Sequence, residues 1–202
     1  QARTKNYTKF VRNPSKADKD SGLYFPRLTS YQRYGKPSVK IEFSVPKLIF
    51  NNNLEELNNT DFNGVIEALQ DRLENMGVRV FKSVLESAPV SVVHFSKNIT
   101  LNDGFTSNYI ISELNKIDLR KSFDFAQKRF INNGQSLQAH TRAHELVIYD
   151  KIADLAKKKK RAIDKDQTSQ QLNLFDSIKA DKQTLEVLRI EIRLCQKRKI
   201  NS

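Results

Sequence analysis

Two stretches decide the fold: His144-Glu145-Leu146-Val147-Ile148-Tyr149-Asp150-Lys151 and Leu188-Arg189-Ile190-Glu191-Ile192-Arg193-Leu194. Successive side chains on a strand point to opposite faces. Glu145, Val147 and Tyr149 therefore share one face of the first stretch, and Arg189, Glu191 and Arg193 share one face of the second. Each stretch has an apolar phase and a phase rich in polar groups, the pattern of a sheet whose second face is not fully apolar. If the two strands pair, a tyrosine, carboxylates and guanidiniums meet on that second face.

Further from these strands, Val39, Ile41, Phe43 and Val45 alternate with Lys40, Glu42 and Ser44, a half-buried strand ended or bent by Pro46. After the turn Asn51-Asn52-Asn53, the spacing predicts a helix over 61–76. Asp61 is its cap, Phe62, Val65, Ile66, Leu69 and Leu73 its apolar stripe, and Gly77 its stop. Residues 78–85 and 90–99 read as strands, and 106–117 as a helix with Tyr109, Ile110, Leu114 and Ile117 in register. Residues 118–138 carry no assigned period, and Asn132-Asn133-Gly134 marks a turn. The strand at 144–150 runs into a helix over 151–163 with the stripe Ile152, Leu155, Ala156, Ala162 and Ile163. Residues 172–185 read as helix, and 187–195 closes the sheet. This order predicts an α+β domain over 38–202, an antiparallel-rich central sheet of about five strands with helices mainly on one face. Residues 1–37, basic and aromatic without a period, read as an N-terminal arm.

The chain has 202 residues, 38% hydrophobic and 29% charged, enough to bury a core. Thirty-five Lys and Arg against twenty-three Asp and Glu give a net charge of +12 and favour a polyanionic partner. Nucleic acid is preferred over a membrane surface, because no long apolar run or basic amphipathic terminus is present. The single Cys195 has no intrachain disulfide partner, which points to a reducing, cytoplasmic setting. The chain begins at Gln1 without a charged-then-apolar leader and reads as a processed or excised piece of a longer protein.

A tyrosine oxygen, a carboxylate able to hold a divalent ion and cations that offset phosphate charge are what cutting a phosphodiester with a tyrosine requires. Tyr149 is the candidate nucleophile and equally describes a strand-end aromatic with its hydroxyl in water. Glu191, flanked at two-residue spacing by Arg189 and Arg193, suits a metal ligand or a cross-strand salt-bridge ladder. His94 and Glu145 are further candidate ligands, although Glu145 lies about 13 Å along the strand from Tyr149. Carboxylate and water oxygens suit Mg²⁺ or Mn²⁺. The run Lys157, Lys158, Lys159, Lys160 and Arg161, with Arg27 and Arg33 of the arm, supplies candidate DNA contacts, or else solvated faces. In the arm, Tyr7, Phe10, Tyr24, Phe25, Tyr31 and Tyr34 interleave with basic residues, which suits either stacking on bases beside phosphate neutralisation or packing of the aromatics on the body. One Cys excludes a zinc cluster of cysteines, and so few glycines argue against a phosphate-binding loop. No His-apolar-His triplet of the better-known nicking endonucleases occurs, since three residues separate His140 from His144.

Four segments, Val39–Leu48, Val90–Phe95, Leu146–Lys151 and Leu188–Arg193, resemble in this order the rolling-circle replication initiators of filamentous phages and related plasmids, the gene II/X family. The tyrosine-lysine pair followed by an arginine-apolar-glutamate strand is also similar to the Rep_trans plasmid initiators and their conjugative relatives. The resemblance spans roughly residues 24 to 200 and implies a site-specific single-strand DNA endonuclease and ligase with a 5′-phosphotyrosine intermediate. It makes Tyr149 the nucleophile and Lys151 its basic neighbour, and it puts Glu191, Arg189 and Arg193 on the active-site strand. His94 stands where relatives can carry an acidic residue. The implied partners are origin DNA, single-stranded or locally melted, and the host replication helicase and polymerase, in the cytoplasm of a bacterial host. The alternatives are a non-catalytic nucleic-acid-binding module and a relaxase for conjugative transfer using the same chemistry.

Overall fold

A computed structural model of the chain describes residues 7–33, 36–57, 61–102, 104–118, 127–131, 134–141, 144–156 and 186–194. These residues are α+β and form two compact units, 7–87 and 88–156 with 186–194. The expected antiparallel sheet of about five strands is present in the second unit, and the first unit has a separate antiparallel sheet of three strands.

In the first unit, β1 (Tyr7–Arg12), β2 (Arg27–Arg33) and β3 (Lys36–Glu42) form an antiparallel sheet in that order, with the short helix α1 (Lys16–Asp20) between β1 and β2. Residues 7–33 are therefore not an arm. β2 pairs with β3 across the expected boundary at 37/38, and the division between units falls at 87/88. Pro46 sits in the first turn of α2 (Val45–Phe50), where its missing N–H costs no helical bond. α3 (Phe62–Asn75) is capped by Asp61, whose carboxylate accepts from Asn63 N at 3.0 Å. Its Val65, Ile66, Leu69 and Leu73 are buried with Tyr24, Phe25, Leu28 and Leu48, while Phe62, expected in the stripe, is exposed. Beyond α3, Gly77 N donates to Glu74 O and Val78 N to Leu73 O, at 2.7 and 2.8 Å, with Gly77 at φ +73°. The left-handed turn at Gly77 thus brings its own N–H and that of Val78 to two of the helix's last carbonyls.

The strand expected over 78–85 is not formed. Val78 and Val80 pack on the first core, and Gln70 Nε2 donates to Val80 O at 3.1 Å. Residues Lys82–Glu86 then make the short helix α4, which buries Leu85 and leaves Phe81 and Val84 exposed.

The second unit carries β4 (Val93–Leu101), β5 (Gln127–Ile131), β6 (Ser136–His140), β7 (His144–Asp150) and β8 (Glu186–Leu194) in the sheet order β4-β8-β7-β6-β5, all neighbours antiparallel. Strands β5 and β6 lie in the stretch to which no element was assigned. In β6 the alternation Ser136, Leu137, Gln138, Ala139, His140 is strict, but it spans only five residues and one of its apolar members is a small alanine. α5 (Ser107–Lys116) packs on β6, β7 and β8. Thr106 caps it by accepting from Tyr109 N, and Glu186 of β8 accepts from Ser107 N. Ile111 is its fully buried apolar residue, joined by Leu137, Ala139, Ile148 and Leu188 of the sheet; Tyr109 and Ile117, expected in the stripe, are exposed. α6 (Lys151–Ala156) follows β7 directly, with Asp150 accepting from Ala153 N at 2.8 Å as its cap. The rest of the helix expected to residue 163, the helix expected at 172–185, and Cys195 lie outside the described residues. Among the described residues no helix is long and apolar enough to cross a membrane.

Two glycines of the first unit separate backbone effects of opposite sign. A Cβ at Gly64 or at Gly77 meets nothing within 4 Å. Gly64→Ala, inside α3, is expected to raise unfolding free energy by about 0.5 kcal/mol, and Gly77→Ala, at positive φ, to lower it by about 1 kcal/mol. Urea unfolding followed by circular dichroism checks both.

Candidate functional site

The polar phase of the five-stranded sheet gathers the charged groups. The register sets Tyr149 of β7 opposite Arg189 of β8, Val147 opposite Glu191 and Glu145 opposite Arg193. On the other side of β8, Asn98, Ser96 and His94 of β4 stand opposite Arg189, Glu191 and Arg193. The juxtaposition expected from the two strands is thus present, on the face opposite α5's packing.

Glu191 is the hub of this cluster and is 8% exposed. Its Oε1 accepts from the Tyr149 hydroxyl at 2.9 Å and from Arg189 Nε at 3.0 Å. Its Oε2 accepts from Arg193 Nη2 at 2.8 Å and Nε at 3.1 Å. Arg189, itself buried, continues to Ser96 Oγ at 2.7 Å and Asn98 Oδ1 at 3.1 Å, and so ties β8 to β4. Arg193 continues to Glu145 Oε2 at 3.0 Å and ties β8 to β7. Glu145 does not reach Tyr149 directly, as its spacing requires; the two are linked through Arg193 and Glu191. The Arg193 and Glu145 side chains, at 28% and 29% exposure, are partly open, and His94 and Ser96 on β4 are exposed.

Burial moves the protons to definite places. Burial opposes the charge on Glu191, but the Arg193 hydrogen bond and the two guanidinium charges outweigh it and hold its pKa below the ordinary value. Burial pushes the Tyr149 phenol far above its ordinary value, and the Glu191 charge adds to this against the smaller opposing effect of Arg189. His94 is exposed, and partial desolvation together with the nearby Arg193 charge lowers its pKa, with Glu191 and Glu145 opposing. At neutral pH the cluster therefore holds a protonated phenol, a carboxylate, two guanidiniums and a neutral imidazole.

The expected ligand set of Glu191, His94 and Glu145 does not fit a divalent ion in this arrangement. Each Glu191 oxygen already accepts two hydrogen bonds, and two guanidiniums occupy the directions an ion would take. Among the described residues no three His, Cys, Asp or Glu side chains converge. Lys151, expected beside the tyrosine, is 2% exposed at the start of α6, so phosphate reaches it only if the strand-to-helix junction moves. Arg27 lies in the first unit, 3.8 Å from Glu42. The side chain of Arg33, and all of Lys157, Lys158, Lys159, Lys160 and Arg161, lie outside the described residues.

Sequence reasoning missed Ser96 and Asn98 as partners of Arg189. The signal was available: His94, Ser96, Asn98 and Thr100 are polar at every second position of β4. Comparison with family models, curated proteins and solved structures finds no match to the chain.

Glu191→Ala, which leaves Arg189 buried without its carboxylate, is expected to cost about 3 kcal/mol of stability. Because its folded pKa lies below the ordinary 4.5, the stabilisation by Glu191 is present above that value and is lost as pH falls through the folded one. Wild type should therefore lose more stability than Glu191→Gln between about pH 5 and about pH 3, measured as denaturant midpoints.

Proposed function

We propose that the chain is a DNA-nicking and DNA-joining domain of a rolling-circle replication initiator, acting through Tyr149. The observation that carries this reading is the Tyr149 hydroxyl donating to Glu191 between two arginines. The net charge of +12 and the resemblance of the four segments to the initiators support it.

In the proposed step, the Tyr149 oxygen attacks a backbone phosphorus. The bond from phosphorus to the 3′ oxygen breaks, the 5′ end stays on Tyr149 as a phosphodiester, and the phenol proton passes through Glu191 to the departing 3′ oxygen. One phosphodiester replaces another, so the reverse step rejoins the strand. Arg193, the more exposed guanidinium, exchanges its carboxylate partners for the phosphate and offsets the charge that builds in the transition state. That exchange frees an oxygen of Glu191, which makes it a better proton acceptor. Arg189 holds Glu191 in place from beneath. The expected Mg²⁺ or Mn²⁺ rests on the resemblance alone, and no step above uses it. Origin DNA is the proposed substrate, a host helicase and polymerase the proposed partners, and a bacterial cytoplasm the proposed setting. A relaxase would use the same chemistry.

One observation favours a second reading, a non-catalytic nucleic-acid-binding module: burial keeps the Tyr149 proton in place, and both Glu191 oxygens are already satisfied. Incubation with labelled single-stranded origin oligonucleotides, with Mn²⁺ or with EDTA, decides between them. The proposal predicts a denaturation-resistant protein–DNA adduct that Tyr149→Phe abolishes. An adduct that persists in Tyr149→Phe moves the nucleophile elsewhere, and binding without an adduct on any origin tested supports the module.

A further inference from the structure

The three-stranded sheet of the first unit separates its charge by face. Its register aligns Lys9 with Tyr31 and Ser38, Arg33 with Lys36, and Thr29 with Lys40, and strand alternation puts these positions in one phase. Arg27 and Glu42, aligned with each other, belong to it too. Among the described side chains, three basic ones, Arg27, Lys36 and Lys40, therefore stand with Glu42, the one carboxylate of that phase within these strands. The opposite phase carries Phe10, Leu28, Val39 and Ile41; Leu28 is buried in the unit's core and Ile41 packs against it, while Phe10 and Val39 are exposed. In the basic phase, Thr29 is buried and Arg27 half-buried, and the face opens toward Lys36 and Ser38, which are exposed, with Tyr31 and Lys40 half-buried. Lys40 is held by Glu42 at 2.8 Å with its side chain 38% exposed. An ion pair that open to solvent is worth so little that a phosphate can replace the carboxylate.

We propose that this face is a second nucleic-acid site, which binds single-stranded DNA or RNA with phosphates along Lys36 and Lys40 and a base stacked on Tyr31. A ring set among cations on a sheet surface combines base stacking with backbone neutralisation, whereas an anionic lipid surface would call on the cations alone. The inference goes beyond the nicking reading and does not depend on it, because the site lies in the unit that lacks Tyr149.

The test is fluorescence anisotropy of a labelled oligothymidine on the full chain carrying Tyr149→Phe, so that covalent chemistry cannot contribute. Tyr31→Ala is expected to weaken binding about fivefold or more, while Tyr31→Phe keeps it. Lys36→Ala should flatten the dependence of log affinity on log salt by about 0.7. Arg12→Ala, which removes one exposed charge from the opposite phase, should leave that slope unchanged. Lys36 is exposed, so its variant reports binding rather than folding. Equal effects of Lys36→Ala and Arg12→Ala, or full affinity in Tyr31→Ala, would overturn the proposal. Capture by anionic phospholipid vesicles without oligonucleotide binding would overturn it in favour of a membrane surface. Because the adduct assay reads Tyr149 and this assay reads Tyr31 and Lys36, either reading can fail alone.

Discussion

A carboxylate buried in the middle of a sheet is tolerated only if other groups meet its charge and all its lone pairs, and Glu191 imposes that constraint on the second unit. The two arginines at positions 189 and 193 meet it from the same strand, and each then needs partners of its own. Arg189 finds Ser96 and Asn98 on β4, and Arg193 finds Glu145 on β7. One charge thereby fixes the alignment of three strands. A slip of β8 by one residue would send Arg189, Glu191 and Arg193 to the apolar face beneath α5, so the network and the core specify the same register.

The same constraint sets the character of Tyr149. Its hydroxyl supplies the fourth donor to Glu191, in surroundings that favour the phenol over the phenolate. The resting cluster is closed on itself, with each guanidinium matched to a carboxylate. For the proposed chemistry, the relevant property is that Arg193 is the more exposed of the two guanidiniums, a residue whose carboxylate partners and whose proposed substrate are both anions.

Much of this was legible in the sequence where side-chain period carries the information. The alternation in 144–150 and 188–194 identified the shared face of Glu145, Tyr149, Arg189, Glu191 and Arg193, and Asp61 and Gly77 marked the ends of α3. Which strands become neighbours was not legible. β4 lies beside β8 although their residues are about ninety positions apart, and no local pattern encodes such a pairing. Residues 78–85 misled because β-branched and apolar residues crowd there; with Val80's carbonyl answered by Gln70, the chain is free to turn into α4. Residues 7–33 looked aperiodic because β1 and β2 carry polar residues in both phases, as a sheet with little covered surface does.

The two units divide the chemistry of the chain: one holds the tyrosine network, the other a sheet whose faces differ in charge. The claim on which the account turns is that burial and the Glu191 carboxylate hold Tyr149 as a protonated, hydrogen-bonded phenol inside the sheet. Ultraviolet titration of tyrosinate absorbance in wild type and in Tyr149→Phe tests it directly. The account predicts superimposable curves through the ordinary tyrosine range around 10.0, because Tyr149 does not ionise there while the fold persists. Loss of one tyrosine's absorbance change from that range in Tyr149→Phe would contradict it.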